Sequence, residues 1–110
     1  MSEQTMNLLR DCLPMFEMLG DENRQIIASR LFEHGRLNVN ELTELLHLSR
    51  PAVSHHLKLL LQARLVQVAQ EGKERYYSLD ANLVLQRLQA LTASLANDIL
   101  NQQTQKGESS

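Results

Sequence analysis

The fold class this 110-residue sequence predicts is mainly α with a small β-hairpin: a winged helix-turn-helix. Three observations carry the prediction. Two short helical stretches, each with its own N-terminal cap, meet through a turn of about three residues, which is helix-turn-helix geometry. Directly after them the apolar period changes from helical to two, around a charged glycine turn. Leucine recurs throughout, whereas aromatic residues make up 4% and tryptophan is absent, a composition that suits helices better than a β-sandwich. The expected order is four helices, a hairpin and a fifth helix. At this length they form one domain, over residues 1–100, with a modest core. Residues 101–110 are polar and are expected to be a disordered tail.

The first helix is expected over residues 6–19, with Leu9, Leu13, Phe16 and Leu19 on one side. Pro14 implies either a kink or a regular helix starting near Leu13. Gly20 can end this helix in a left-handed conformation. Asp21 then caps a second helix reaching about His34, with Ile27, Leu31 and His34 on one face and Gly35 as its stop. Asn38 and Glu41 have the spacing of a capping box and open a short helix through Leu46. After His47 and Leu48, Ser49 caps the next helix, and Pro51 sits in its first turn, where the missing N–H is harmless. Val53, Leu57, Leu60 and Leu61 form its buried side.

Beyond Ala63, Val66 and Val68 alternate with Gln67, and residues 75–79 read as a returning strand. Between them Glu71, Gly72, Lys73 and Glu74 make the hairpin tip, with Gly72 supplying the positive φ of a tight turn. One of Tyr76 and Tyr77 must face the core by strand alternation. Asp80 caps a long helix to about Leu100, striped by Val84, Leu88, Leu91, Leu95 and Ile99. A stripe that long exceeds what one small domain can cover, so part of it is expected to meet a partner subunit.

The formal net charge of −2 argues against a nucleic-acid partner only if charge is spread evenly, and it is not. Residues 49–79 hold five cations against two carboxylates, a net +3, while the rest of the chain carries −5. An acidic protein can bind phosphate through one basic module. Other classes fall away. No apolar run approaches the roughly 20 residues of a membrane span, and the first residues lack a signal-peptide layout. The single cysteine, Cys12, forbids an internal disulfide and fits a reducing cytoplasm. There is no glycine-rich phosphate loop, no nucleophile–base spacing and no paired acids, so an enzyme is not expected.

The turn "LGDENR" at residues 19–24, the run "LNVNELTELLHLSRPAVSHHLKLL" at residues 37–60 and the wing "EGKERYYSL" at residues 71–79 resemble, in that order, the ArsR/SmtB family of winged-helix transcriptional repressors. The resemblance covers roughly residues 16–95. It implies a homodimer built from the first and last helices that binds an imperfect palindrome in double-stranded DNA and represses a nearby operon. Residues 49–62 are then the recognition helix and residues 71–75 the wing tip.

With Val53 pointing inward, Pro51, Ser54, His55, Lys58 and Gln62 point away from the core. The N-terminal half of such a helix faces the duplex with its free N–H groups and positive dipole. Ser49 and Ser54 are candidates for hydrogen bonds to phosphate or base edges. Arg50 is the candidate for a bidentate contact to guanine, at a position where the family often has glutamine. Lys58 is assigned to phosphate, and Lys73 and Arg75 to the backbone or minor groove. His55 is expected at the contact surface, and His56, nearer the buried side, in packing. The plain alternatives are a cap for Ser49 and solvated side chains for Arg50 and Lys58.

The family's arsenic and cadmium sensors place paired cysteines in the short helix before the recognition helix; here that stretch reads Val39, Asn40, Glu41 and Leu42. Its zinc-type site needs Asp and His in the last helix, which here holds Asp80 and Asp98 but no histidine. No metal site and no cofactor is therefore expected, and the inducer is left open. Two alternatives stand beside the repressor: a winged-helix protein-interaction module without DNA binding, and a thiol sensor acting through Cys12, whose plain role is a small apolar residue in the dimer helix.

Overall fold

The computed structural model describes residues 1–109, with side chains described to residue 104. Seven elements follow one another: α1 (Glu3–Met18), α2 (Glu22–His34), α3 (Val39–Leu45), α4 (Arg50–Gln62), β1 (Val66–Glu71), β2 (Glu74–Leu79) and α5 (Ala81–Ser109). This is the predicted winged helix-turn-helix order. The caps explain most boundaries. Asp21 accepts from the Arg24 N–H at 3.0 Å, and Ser49 accepts from the Ala52 N–H at 3.3 Å. Asn38 and Glu41 form the full reciprocal capping box, at 2.8 and 3.0 Å.

Several boundaries differ from the sequence reading. α1 begins three residues earlier than expected, because Ser2 caps it through the Thr5 N–H. Pro14 lies inside a continuous helix, on its exposed side, where water can serve the Arg10 carbonyl that loses its helical partner. Gly20 is not left-handed; the helix ends instead at Leu19, whose N–H still reaches the Met15 carbonyl. At the far end, α5 does not stop near residue 100. It continues through Ser109, so residues 101–109 are helical rather than a disordered tail, and residue 110 lies outside the described residues. Polar Asn, Gln and Thr forgo burial but do not break a helix, and the Thr104 hydroxyl bonds back to the Leu100 carbonyl.

The molecule divides into a head and an arm. In the head, α2, α3 and α4 close around Ile27, Leu31, Leu42, Val53, Leu57, Leu60 and Leu65, each at most 1% exposed. The two-stranded antiparallel hairpin packs on α4 and α2, with Val66 opposite Leu79 and Val68 opposite Tyr77. Leu37 adds a bridge to Tyr77, through N–H···O bonds of 2.8 and 2.9 Å in the two directions, so the wing is held at its base by the α2–α3 loop. His34 stands outside this core, exposed at the end of α2, because the helical face turns away from the interior after Leu31.

The arm is α1 packed along α5. Its principal extent makes the chain 66 Å long, and the radius of gyration is 18.4 Å, against about 13 Å for a compact domain of this size. Thr5, Cys12 and Met15 are the buried residues of α1, rather than the Leu13 and Phe16 face expected from spacing. At the arm's free end the Ser2 N–H donates to Asp98 at 2.9 Å and the Thr5 hydroxyl pairs with that of Ser94. Hydrogen bonding from the Thr5 hydroxyl first, and then from the Ser2 N–H, holds the Asp98 carboxyl below its ordinary range.

Candidate nucleic-acid interface

The site begins with the geometry of α4. Its N-terminus is free at the surface, capped by Ser49, with Arg50 and Pro51 opening the first turn. Burying Val53, Leu57 and Leu60 at helical spacing forces Ser54, His55 and Lys58 outward, and all three are exposed. Ser49 keeps its cap bond as an acceptor, which leaves its hydroxyl proton available to an outside oxygen. The plain reading of Ser49 as a cap therefore holds and is compatible with a contact.

The wing supplies the second wall. Gly72 takes φ 61° in the turn between the facing residues Glu71 and Glu74, as the tight hairpin requires. This aims Lys73 and Arg75 back toward α4. Arg50, Ser54 and Lys58 of the helix and Lys73 and Arg75 of the wing line one open groove of about 450 Å³. Its floor is Leu61 and Tyr77, and four cations face one carboxylate, Glu74. Tyr77 is the tyrosine that turns to the core, while Tyr76 is half-buried on the other face.

Of the eight residues predicted for the site, five meet in this groove. Ser49, Pro51 and His55 lie on exposed surface of the same helix outside the groove lining. Five groove residues were not among those predicted: Val39, Asn40, Leu61, Glu74 and Tyr77. Asn40 and Val39 come from the start of α3, whose capping box turns them toward the groove. Asn40 is exposed two residues after the Asn38 cap, and its place on the free side of a two-turn helix was the available signal. Glu74, read in sequence only as part of the hairpin tip, is the other polar lining residue.

His56 takes the packing role. Its Nδ1 lies 3.3 Å from Arg24 Nη1, while Arg24 Nε donates to the Met18 carbonyl at 2.6 Å. Arg24 thus ties the end of α1 to α4. Burial, chiefly, pushes the His56 pKa below its ordinary 6.5, so the ring is neutral and Nδ1 accepts. Cys12 is 1% exposed, with its sulfur 3.7 Å from the Arg87 carbonyl, deep between α1 and α5. Among the described residues, no three of His, Cys, Asp and Glu come together as a ligand set. No helix among them is long and apolar enough to cross a membrane.

Comparisons with known proteins bear on this arrangement. Residues 21–68, which contain α2, α3, α4 and the start of the wing, match the family model described as bacterial regulatory protein, arsR family. The chain is 35% identical over 80 residues to an arsenical resistance operon repressor of Bacillus subtilis, covering 73% of this chain and 76% of that protein. It is 49% identical over 65 residues to HTH-type transcriptional regulator Rv2034 of Mycobacterium tuberculosis, covering 59% of this chain and 60% of that protein. In fold, it superposes with a TM-score of 0.79 on an ArsR-like transcriptional regulator from Rhodococcus, at 23% identity, covering 90% of this chain and 92% of the other.

Proposed function

The chain belongs to the arsR family of bacterial regulatory proteins, and from that premise we propose that it is a dimeric repressor that binds an imperfect DNA palindrome. The observation that carries this reading is the groove shared by α4 and the wing, where Arg50, Lys58, Lys73 and Arg75 converge. A helix N-terminus flanked by cations suits phosphates, and an exposed Arg and Ser beside it suit base edges. α4 enters the major groove, with Ser49, Pro51, Ser54 and His55 on its duplex-facing surface. Lys73 and Arg75 reach the flanking backbone or minor groove. The −5 charge outside this module turns the scaffold away from DNA and favours one docking face.

The arm supports a two-fold partner. Leu13, Phe16, Leu88, Leu95 and Ile99 all stay more than a third exposed in the single chain. Joining two arms covers this surface and sets two α4 helices on one face of the duplex, about 34–36 Å apart for successive half-sites. The protein then works in the cytoplasm, where its operator lies. Cys12 is given no sensing role in this reading, since its burial keeps it from a partner thiol or a reagent.

The test is retardation of a DNA fragment from upstream of the protein's own coding sequence, repeated across a salt series and against an unrelated fragment. Specific binding should weaken steeply with salt, as phosphate contacts demand. No retardation at low salt, or equal affinity for both fragments, defeats the proposal.

A further inference from the structure

The geometry points to Arg36, in the α2–α3 loop outside the groove, as the residue that sets both the pose and the charge of the wing. Arg36 grips Glu71 at the wing tip with both ends of its guanidinium, at 2.5 and 2.8 Å. The same guanidinium lies 4.2 Å from the centroid of the Tyr76 ring. Its next neighbour, Leu37, bridges Tyr77 through two backbone hydrogen bonds. One loop therefore holds β2 at its base through the backbone and the tip of β1 through a planar fork. A fork between two carboxylate oxygens and an aromatic face has one orientation, which lysine cannot reproduce.

The charge pattern gives the contact its consequence. Residues 71–75 contain Glu71, Lys73, Glu74 and Arg75, so the tip alone is neutral. Glu71 stands directly across the ladder from Glu74, a like-charge pair that disfavours the hairpin. Arg36 relieves that repulsion and neutralises one of the two carboxylates of the tip. With Arg36 in place the wing presents net positive charge; without it the tip is neutral and less firmly held. Both partners are about half exposed, so the effect belongs to positioning and local field rather than to stability. Arg36 is accordingly a positioning residue of the DNA site.

This inference rests on the DNA-binding reading, and the experiment separates the two. Full-length wild type, Arg36→Ala, Arg36→Lys and the double variant Arg36→Ala with Glu71→Gln are titrated onto a labelled duplex from upstream of the protein's own coding sequence, across a salt series. Backbone amide exchange of the wing is followed in parallel. Arg36→Ala should lower affinity about fivefold, the scale of a well-oriented surface pair, and speed exchange in residues 66–79 while α1 and α5 are unchanged. Arg36→Lys should fall between. Removing the Glu71 charge in the double variant should restore most of the lost affinity, and that recovery also shows the variant is folded.

Wild-type affinity in Arg36→Ala overturns the inference while leaving the DNA reading intact. So does a double variant that stays weak with a salt slope shallower by about 1, which would make Arg36 itself a phosphate contact. A wild type that binds no duplex removes the DNA reading and this inference together.

Discussion

The head and the arm are made of similar leucine-rich helices, yet they solve burial differently. In the head, three helices of 13, 7 and 13 residues and a hairpin bury their apolar faces in one another, down to nearly complete exclusion of water from Leu31, Leu42 and Leu60. In the arm, a 29-residue α5 lies along a 16-residue α1, and no described side chain of α5 is fully buried. A closed core fixes the head as a rigid platform, and rigidity is what a reading surface needs, because a helix must meet the duplex in one register. An arm with half-covered leucines has apolar surface to spare, and the stability it lacks alone is available from a second copy.

The sharpest way to break this comparison is to truncate one leucine in each region. Leu60→Ala, in the sealed core of the head, should cost roughly 2–5 kcal/mol, read as a shift in the denaturant midpoint. Leu95→Ala, at a position 40% exposed, should cost well under 1 kcal/mol in the dilute single chain and instead weaken self-association measured by sedimentation. Equal losses from the two variants would mean that the arm is as self-sufficient as the head.

Within the head, the next comparison is between two cations of the same groove. Arg50, at the first turn of α4, should lose roughly 1–3 kcal/mol of discrimination between matched and mismatched sites when changed to Ala. Lys58, two turns on, should weaken all duplexes alike and make the salt slope shallower by about 1. Competition titrations with operator and scrambled duplexes distinguish these outcomes. A Lys58→Ala variant that alters sequence preference would reverse the two roles.

What was legible in the sequence follows the same division. The head could be read almost residue by residue, because its signals are local: Asp21, Asn38 and Ser49 each cap the helix that follows, and Gly72 marks its turn. Five of eight predicted site residues meet in one groove for a related reason, since burying Val53 and Leu57 fixes where their neighbours point. The arm was harder. Spacing alone could not choose between the Cys12–Met15 face of α1 and the Leu13–Phe16 face, because both are apolar and the choice depends on how α5 lies against them. At the polar end of α5 the sequence carries no apolar stripe to mark the helix, because composition reports burial more faithfully than it reports helicity. The role of Arg36 depends on a contact across 35 positions, and no local pattern announces it.

Arg64 is a smaller case of the same limit. It takes φ 62° just after α4, where the Leu65 N–H bonds the Leu60 carbonyl and the Arg64 N–H bonds the Leu61 carbonyl. That is a Schellman ending with arginine in the left-handed place that glycine usually fills. Arg64→Gly should therefore stabilise the head by about 0.5–1 kcal/mol, the left-handed penalty less the added chain entropy. A lower denaturant midpoint in this variant would show that the arginine side chain contributes more than its backbone costs.

The smallest expected effect lies at the joint between the two regions. His56 of α4 accepts from Arg24, which also holds the Met18 carbonyl at the end of α1. Burial is the main cause of its lowered pKa; Arg24 and His55 lower it further, and Asp21 alone opposes them. A histidine held below its ordinary 6.5 binds fewer protons when folded than when unfolded, so stability rises with pH through that interval. The contribution is whole above about 6.5 and declines as pH falls below it, until the folded ring also protonates. Protonation at Nδ1 would then set two donors against each other and loosen the tie between α1 and α4. His56→Gln should flatten the change in denaturant midpoint between pH 7.5 and pH 5.5. If the slope survives that substitution, the sensitivity lies in another titrating group, and the joint is held by Arg24 and the Met18 carbonyl without the ring.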